Sequence, residues 1–288
     1  MIPLSSTRSG GCFRYAVWMR SGVLWLMLLF PAALFAQSNE ADLQARLLNK
    51  PLYLRGLWKN DKLAFDSAGA LKGRSEKVSF TLAGIDIESV RLEGGKLLLQ
   101  GRRMGLTFPD QILTRQPIPL RAKSGPDGKA EEIHLDIAGA ANGDYGVQLD
   151  AILTANLIDL APALPDEWQN VVQQFPVAGD HLSPAPRGHK HELAPRVGGS
   201  VVAPVVVSQA APDFSEYARR AVISGNSLIY LQVDEKGTPT HLRIVKPLGM
   251  GLDEKAVEAV RSYRFKPATR DGVPMVVEMN VDVNFDIF

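Results

Sequence analysis

Three histidines and two adjacent carboxylates are the residues of this 288-residue chain whose types and spacing could support metal binding or catalysis. His181, His189 and His191 could ligate a metal, but they lie in a proline-containing stretch that offers no carboxylate cluster to support them. Asp253 and Glu254 could form an acid–base pair, yet acidic residues at a helix start ordinarily act as caps and dipole partners. Phosphate-loop, serine–lysine and zinc-protease motifs are absent from the sequence. The prediction is a protein that is not an enzyme and that binds neither a metal nor another cofactor.

The charge balance and the first forty residues limit where the protein works. A net charge of +1 gives no basic surface for nucleic acid. An apolar run of about 14 residues follows Arg20, whereas a membrane span needs about 20. Residues 1–36 are therefore predicted to be a cleaved signal peptide, with an uncleaved membrane anchor as the alternative and Met19 as an alternative start. The only cysteine, Cys12, would leave with this leader.

A β-rich domain of unknown function is predicted from 41 to 175. Several runs have strand character, and two of them alternate with period two; the runs are 77–82, 89–92, 96–100, 132–137 and 147–153. Gly94-Gly95 is a hairpin signal. Residues 165–175 place apolar side chains at helical spacing and predict a closing amphipathic helix. The expected architecture is an antiparallel meander or half-barrel.

The stretch from 176 to 213 has recurrent prolines and no periodicity, which predicts a flexible linker.

Two arginine pairs, Arg102-Arg103 and Arg219-Arg220, are predicted to lie on solvated faces. Trp58 and the neighbouring leucines are predicted to belong to the core of the first domain, although a ligand groove there is a second interpretation.

The last third of the chain reads as a small α+β module. Residues 227–234 and 240–246 predict a β-hairpin with its turn at 235–237. A helix follows, with Asp253 as its N-cap and Glu254 pointing to water, and Pro267 prevents its continuation.

A final strand is predicted from Met275 to Ile287. Its odd-numbered residues are apolar and its even-numbered residues are mostly polar, so one face is expected in the core. At about 3.3 Å per residue this strand is longer than usual, and part of it is expected to lack an intramolecular partner. Unpaired edge backbone invites strand addition by another chain. The predicted partner-binding residues on this strand are Val276, Glu278, Asn280, Asp282 and Asn284.

The motifs of this last third resemble the C-terminal domain of TonB-type energy transducers, over about residues 214–288. The resemblance rests on several turn and proline motifs that occur in the family's order: Asp234-Glu235-Lys236-Gly237, Gly249-Met250-Gly251-Leu252-Asp253, Tyr263-Arg264-Phe265-Lys266-Pro267-Ala268 and Asp271-Gly272-Val273-Pro274. It implies a helix packed on a three-stranded antiparallel sheet, in the order ββαβ, whose last strand accepts a peptide of an outer-membrane transporter. Tyr217 stands where the family has the tyrosine of a Tyr-Pro pair, and this chain has Tyr217-Ala218. The resemblance adds Tyr217 to the predicted partner-binding residues.

The resulting prediction is a periplasmic, TonB-like binding protein whose partner is an outer-membrane TonB-dependent transporter. Energy transduction, with an inner-membrane proton-channel complex as a second partner, requires that the leader remain as an anchor. The alternative is a secreted two-domain scaffold or ligand-binding protein without energy transduction. A hydrolase hidden in the β-rich domain is a third hypothesis, which would need a groove with convergent polar groups.

Overall fold

The computed structural model of the chain describes residues 39–120, 129–139, 143–174 and 200–287. The predicted leader, the three histidines of the predicted linker and linker residues 176–199 lie outside the described residues. Of the described chain, the first three ranges correspond to the predicted β-rich domain and the last range contains the predicted C-terminal module.

An eight-stranded sheet organises the first part of the described chain. Its strands are β1 (Leu52–Leu54), β2 (Lys62–Phe65), β3 (Leu71–Lys72), β4 (Gly84–Glu93), β5 (Lys96–Thr107), β6 (Thr114–Pro117), β7 (Glu132–Ala138) and β8 (Leu153–Thr154). The order is β3-β2-β7-β5-β4-β1-β8, with β6 also paired to β5. All pairs are antiparallel except β2 with β7. The predicted hairpin at Gly94-Gly95 is confirmed, because Glu93 pairs with Lys96 across a turn in which both glycines have positive φ.

Short helices accompany this sheet in the first part of the described chain. They are α1 (Glu40–Leu47), α2 (Gly146–Ile152), α3 (Gln169–Val172) and the 3-10 helices Phe80–Leu82, Pro109–Gln111, Leu157–Ala163 and Asp166–Trp168. The closing helix predicted over 165–175 is thus a 3-10 turn that continues into the single turn of α3.

Two of the predicted strands in this part are wrong. Most of the run 147–153 is helix α2, in which the buried Leu149 and Ile152 lie three residues apart on one face. The Asp144 carboxylate accepts the N–H of Gly146 at 2.9 Å and so helps to start this helix. The run 77–82 ends in the 3-10 helix Phe80–Leu82, because the Ser79 side chain accepts the Thr81 N–H and turns the backbone.

The last part of the described chain contains three small sheets and two helices. Its helices are α4 (Glu216–Ala221) and α5 (Leu252–Ser262), and its strands are β9 (Val201–Val202), β10 (Val205–Ser208), β11 (Gly225–Val233), β12 (Pro239–Lys246), β13 (Arg264–Lys266), β14 (Ala268–Arg270), β15 (Val273–Met275) and β16 (Val277–Phe285). The class is mixed α+β, as predicted. Three short strands separate α5 from β16, so the arrangement is more elaborate than four consecutive ββαβ elements.

Two strands lie inside the segment predicted as a flexible linker. Strand β9 pairs with β14 and β10 pairs with β13, so residues 201–208 are held against the C-terminal part by backbone hydrogen bonds. The pattern missed them because each is short and its partner lies about sixty residues further along the chain. The division of the chain into domains remains a prediction.

One hydrophobic cluster joins the two parts of the described chain. Trp168, Val171 and Val172 of the first part are buried together with Ile244 and Val257 of the last part. A second cluster lies within the first part and contains Leu43 and Leu47 of α1. Leu52, Leu54 and Leu57 are buried and Trp58 is half-buried, as predicted for core residues.

Candidate partner-binding edge

Strand β16 forms one margin of a three-stranded sheet whose order is β12-β11-β16. All nine of its residues pair with β11, from Val277 opposite Val233 to Phe285 opposite Gly225. The expectation that part of the strand lacks any intramolecular partner is therefore wrong. The predicted strand is also divided, since Met275 belongs to β15 and Val276 lies between the two strands. Within the described ranges, nothing pairs with the outer edge of β16.

The opposite margin of this sheet is covered by the first part of the chain. The Asn170 amide on α3 donates from Nδ2 to the Ile244 carbonyl oxygen of β12 at 2.9 Å. Two more hydrogen bonds join the first and last parts of the chain nearby. Trp168 donates to Glu254, and Arg261 donates to Glu167. Because α3 and the preceding 3-10 helix lie against β12, the available edge of this sheet is that of β16.

The side chains of β16 follow the predicted alternation. Val277, Val283 and Phe285 are buried, while the central pair Met279 and Val281 is only half-buried. Of the predicted partner-binding residues, Asn280, Asp282 and Asn284 are exposed, and Val276 and Glu278 are half-buried. Four of these five residues thus lie along β16, and Val276 directly precedes it.

Tyr217 lies on α4, away from this group. Its ring is half-buried and stacks under the guanidinium of Arg220, whose Cζ is 4.9 Å from the ring centroid. It lines a cavity of about 580 Å³ together with Phe80, Trp168 and Glu254. Burial raises the pKa of the Tyr217 hydroxyl. Tyr217 therefore lies at the contact between the two parts of the chain.

Asp253 is not the N-cap that the sequence predicts. The cap position is Gly251, at φ 74°, and Asp253 lies fully buried in the first turn of α5. Its carboxylate accepts three hydrogen bonds, from Ser227 Oγ at 2.7 Å and from the backbone N–H groups of Leu248 and Gly249 at 2.8 and 2.7 Å. Burial raises its pKa to about 6 against the opposing effect of these donors. Asp253 therefore ties the β12–α5 loop to β11.

Glu254 does not point to water. Its Oε1 accepts the indole N–H of Trp168 at 2.8 Å, whereas its Oε2 is buried without a hydrogen-bond partner among the described residues. The residue as a whole is half-buried. Burial, and then the neighbouring Asp253 charge, raise its pKa to about 7. Glu254 is thus a buried acid at the contact between the two parts of the chain.

Glu254→Gln is expected to stabilise the protein at alkaline pH relative to wild type. The folded-state pKa of Glu254 lies above its ordinary value of 4.5, so the folded state holds the proton more tightly than the unfolded state does. Wild type therefore loses stability as pH rises from about 4.5 to about 7, and a neutral glutamine avoids this loss. Urea unfolding at pH 5 and pH 8 measures the effect.

The matched control is Glu258→Gln on the exposed side of α5, where Glu258 pairs with Lys255. The difference in free energy of unfolding between this variant and wild type should not grow with pH. An equal pH response of the two variants would contradict the buried ionisation of Glu254.

The prediction that Arg102-Arg103 lies on a solvated face is wrong for Arg103. Its side chain is fully buried, and its Nε donates to Glu131 Oε1 at 3.0 Å. The other oxygen of Glu131 accepts from Arg220 at 3.1 Å. Arg220 belongs to α4, so Glu131 bridges the sheet of the first part to the last part of the chain. Arg102 and Arg219 are exposed, as predicted.

Within the described ranges, no group of three or more His, Cys, Asp and Glu side chains is placed to hold a metal ion. None of the helices in these ranges is long and apolar enough to cross a membrane.

The last part of the described chain thus combines a sheet with an open edge at β16 and the helix α5. Comparison with known proteins gives its family. Residues 210–287 match the family model for the Gram-negative bacterial TonB protein C-terminal domain. The chain is also similar to Protein TonB of Vibrio cholerae serotype O1, at 26% identity over 84 residues, which cover 29% of this chain and 34% of that protein. The match spans about a third of that relative. Residues 210–287 are therefore a TonB-type C-terminal domain, as their motifs indicate.

Proposed function

We propose that this chain is an exported, TonB-like protein of the periplasm that binds an extended peptide of an outer-membrane transporter. The peptide adds to the sheet as a fourth strand beside β16, and main-chain hydrogen bonds supply much of the affinity. The observation that carries this proposal is the open outer edge of β16 in a sheet whose other margin is covered. The family of residues 210–287 supports the choice of partner.

Energy transduction is a further part of this proposal and depends on the leader. Motion or force must enter from the inner membrane, so residues 1–36 would have to stay attached. Mass spectrometry of the mature N-terminus tests this directly. Full-length protein in washed inner membranes supports a transducer, and a start near Gln37 supports a released binding protein or scaffold.

Proline substitution in β16 tests strand addition. A proline removes one backbone donor, and neighbouring residues of an antiparallel strand direct their N–H groups to opposite edges. Asn280→Pro and Asp282→Pro therefore each remove a donor at one edge of β16, whereas Val281→Pro removes a donor at the other edge. Whichever substitution removes an N–H that points to the outer edge should melt close to wild type and bind a peptide about fivefold more weakly, since one hydrogen bond contributes about 1 kcal/mol. The measurement is the affinity of the full-length chain for a synthetic valine–threonine alternating heptapeptide, beside a thermal melt.

The controls are Asn280→Ala, Asp282→Ala and Val281→Ala, which keep the backbone donors. Each alanine variant should bind the peptide several-fold more tightly than a proline variant that has lost an N–H at the outer edge. Alanine variants that lose binding while proline variants keep it would reject strand addition in favour of side-chain recognition. Failure of wild type to bind any extended peptide would favour the scaffold alternative.

A further inference from the structure

The outer edge of β16 has two chemically different faces. Its even-numbered face carries the carboxylates of Glu278 and Asp282, and Asp286 follows at the same spacing of four residues just after the strand ends. Glu278 and Asp286 accept hydrogen bonds from neutral amides, those of Gln232 at 3.4 Å and Asn284 at 2.7 Å. Asp282 is exposed to solvent. These carboxylates form an acidic column along the strand.

The nearest cations on the same face of the sheet lie beyond β11. Tyr230 and Leu228 stand opposite Asn280 and Asp282, and the cationic residues of β12 come after them. These cations are Arg243, opposite Tyr230, and Lys246, opposite Leu228. A full strand therefore separates them from the column, about 10 Å at ordinary strand spacing. Within the described ranges, none of the three carboxylates forms an ion pair with a cation, so the column is open to a partner.

The odd-numbered face of the same edge is incompletely covered apolar surface. Val277, Val283 and Phe285 are buried, but Met279 and Val281, at the centre of the strand, are only half-buried although they pack against the core. A strand added beside β16 would place its own side chains next to these two residues, because directly opposed residues of paired strands share a face. Apolar side chains at those positions would complete the core.

We propose that the occupant of this edge is an extended protein segment that alternates apolar and basic side chains. This inference rests on the proposed strand addition and specifies its partner. Apolar residues of the segment lie opposite Met279 and Val281, and lysine or arginine lies opposite Glu278 and Asp282. The match holds for parallel and antiparallel addition alike, since both keep opposed residues on one face. Main-chain hydrogen bonds supply affinity for the segment, and the complementary charges supply the selectivity.

The experiment compares four synthetic heptapeptides against the full-length chain at low and high salt. They alternate valine with lysine, valine with threonine, or valine with glutamate, and the fourth has the lysine peptide's composition with its valines and lysines in two blocks. The lysine peptide should bind at least about tenfold more tightly than the threonine peptide at low salt, because several exposed pairs contribute together. The glutamate and block peptides should bind more weakly than the lysine peptide, and high salt should reduce the lysine preference.

Substitution of the column supplies an independent readout. Asp282→Asn should lower the affinity of the lysine peptide about twofold to fivefold and leave that of the threonine peptide unchanged. The matched control is Asp166→Asn, an exposed carboxylate on the 3-10 helix that precedes α3, beside the opposite margin of the sheet. It should change neither affinity.

The outcomes separate this inference from the function on which it rests. Equal binding of the lysine and threonine peptides would overturn the basic partner and leave strand addition standing. Equal binding of the block peptide would overturn the alternating pattern, because simple charge attraction would then suffice. Binding of none of the four peptides would overturn the proposed function itself.

Discussion

Replacing Arg103 with alanine is expected to lower the free energy of unfolding by about 3–5 kcal/mol. Its guanidinium is fully buried and donates Nη1 to the carbonyl oxygens of Trp58 and Leu82, both at 3.1 Å. Nη2 donates to the carbonyl oxygens of Lys59 and Asn60, at 2.9 and 3.2 Å. Alanine would leave these four acceptors without this donor.

The loss extends to the contact between the two parts of the chain. Glu131 would keep Arg220 as its partner but lose Arg103, and its side chain is only 14% exposed. Removing one member of a buried ion pair is costly because the remaining charge stays out of water. We therefore expect Arg103→Ala to weaken the attachment of α4 as well as the sheet.

Chemical unfolding in urea measures this effect, and Arg102→Ala is the matched control. Arg102 is the neighbouring residue on β5, but it is exposed and pairs with Glu88 at the surface. Such a pair contributes about 0–1 kcal/mol. Similar losses from the two variants would mean that the Arg103 side chain is solvated, as the sequence pattern predicts.

Asp253→Ala is the second large effect, expected to cost about 3 kcal/mol or more. A lost N-cap would cost about 1 kcal/mol. The structure instead gives this carboxylate three donors, of which Ser227 Oγ and the Gly249 N–H are in buried bonds. Buried donors without an acceptor cost about 1–3 kcal/mol each, so the sum exceeds the value for a cap.

The comparison variant is Glu258→Ala on the exposed side of the same helix. Alanine there removes only a surface ion pair with Lys255 and should change stability by less than about 1 kcal/mol. Urea unfolding again measures the effect. The midpoint should fall while the slope of the free energy of unfolding against urea concentration stays constant. A loss of only about 1 kcal/mol for Asp253→Ala would restore the capping role.

Local patterns predict much of the secondary structure of this protein. Period-two alternation is visible in β7, β11 and β16, and the turn residues Gly94-Gly95 and 235–237 lie at real chain reversals. These features follow from the backbone and side-chain preferences of neighbouring residues, so no distant contact is needed to recognise them. The same local order of motifs was sufficient to indicate the TonB-type domain.

Burial of the charged residues was decided by tertiary packing. Arg103, Asp253 and Glu254 have sequence neighbours typical of an exposed face, yet each is enclosed by segments remote in the chain. Periodicity gives the face of an element but does not say what covers that face. The predicted solvent exposure was therefore wrong for Arg103 and Glu254, and the predicted N-cap role was wrong for Asp253.

For the candidate edge, the sequence by itself determined which face of β16 is polar, and only the tertiary structure decided which edge is open. Alternation fixes the side-chain faces because successive residues of a strand point to opposite sides. Edge availability depends on which strands lie beside one another, and here β11 takes one side of β16 while α3 covers β12 at the far margin. These neighbours come from segments about 45 to 75 residues apart in the chain. No local pattern encodes a pairing over that distance, because it is selected by the shared hydrophobic core.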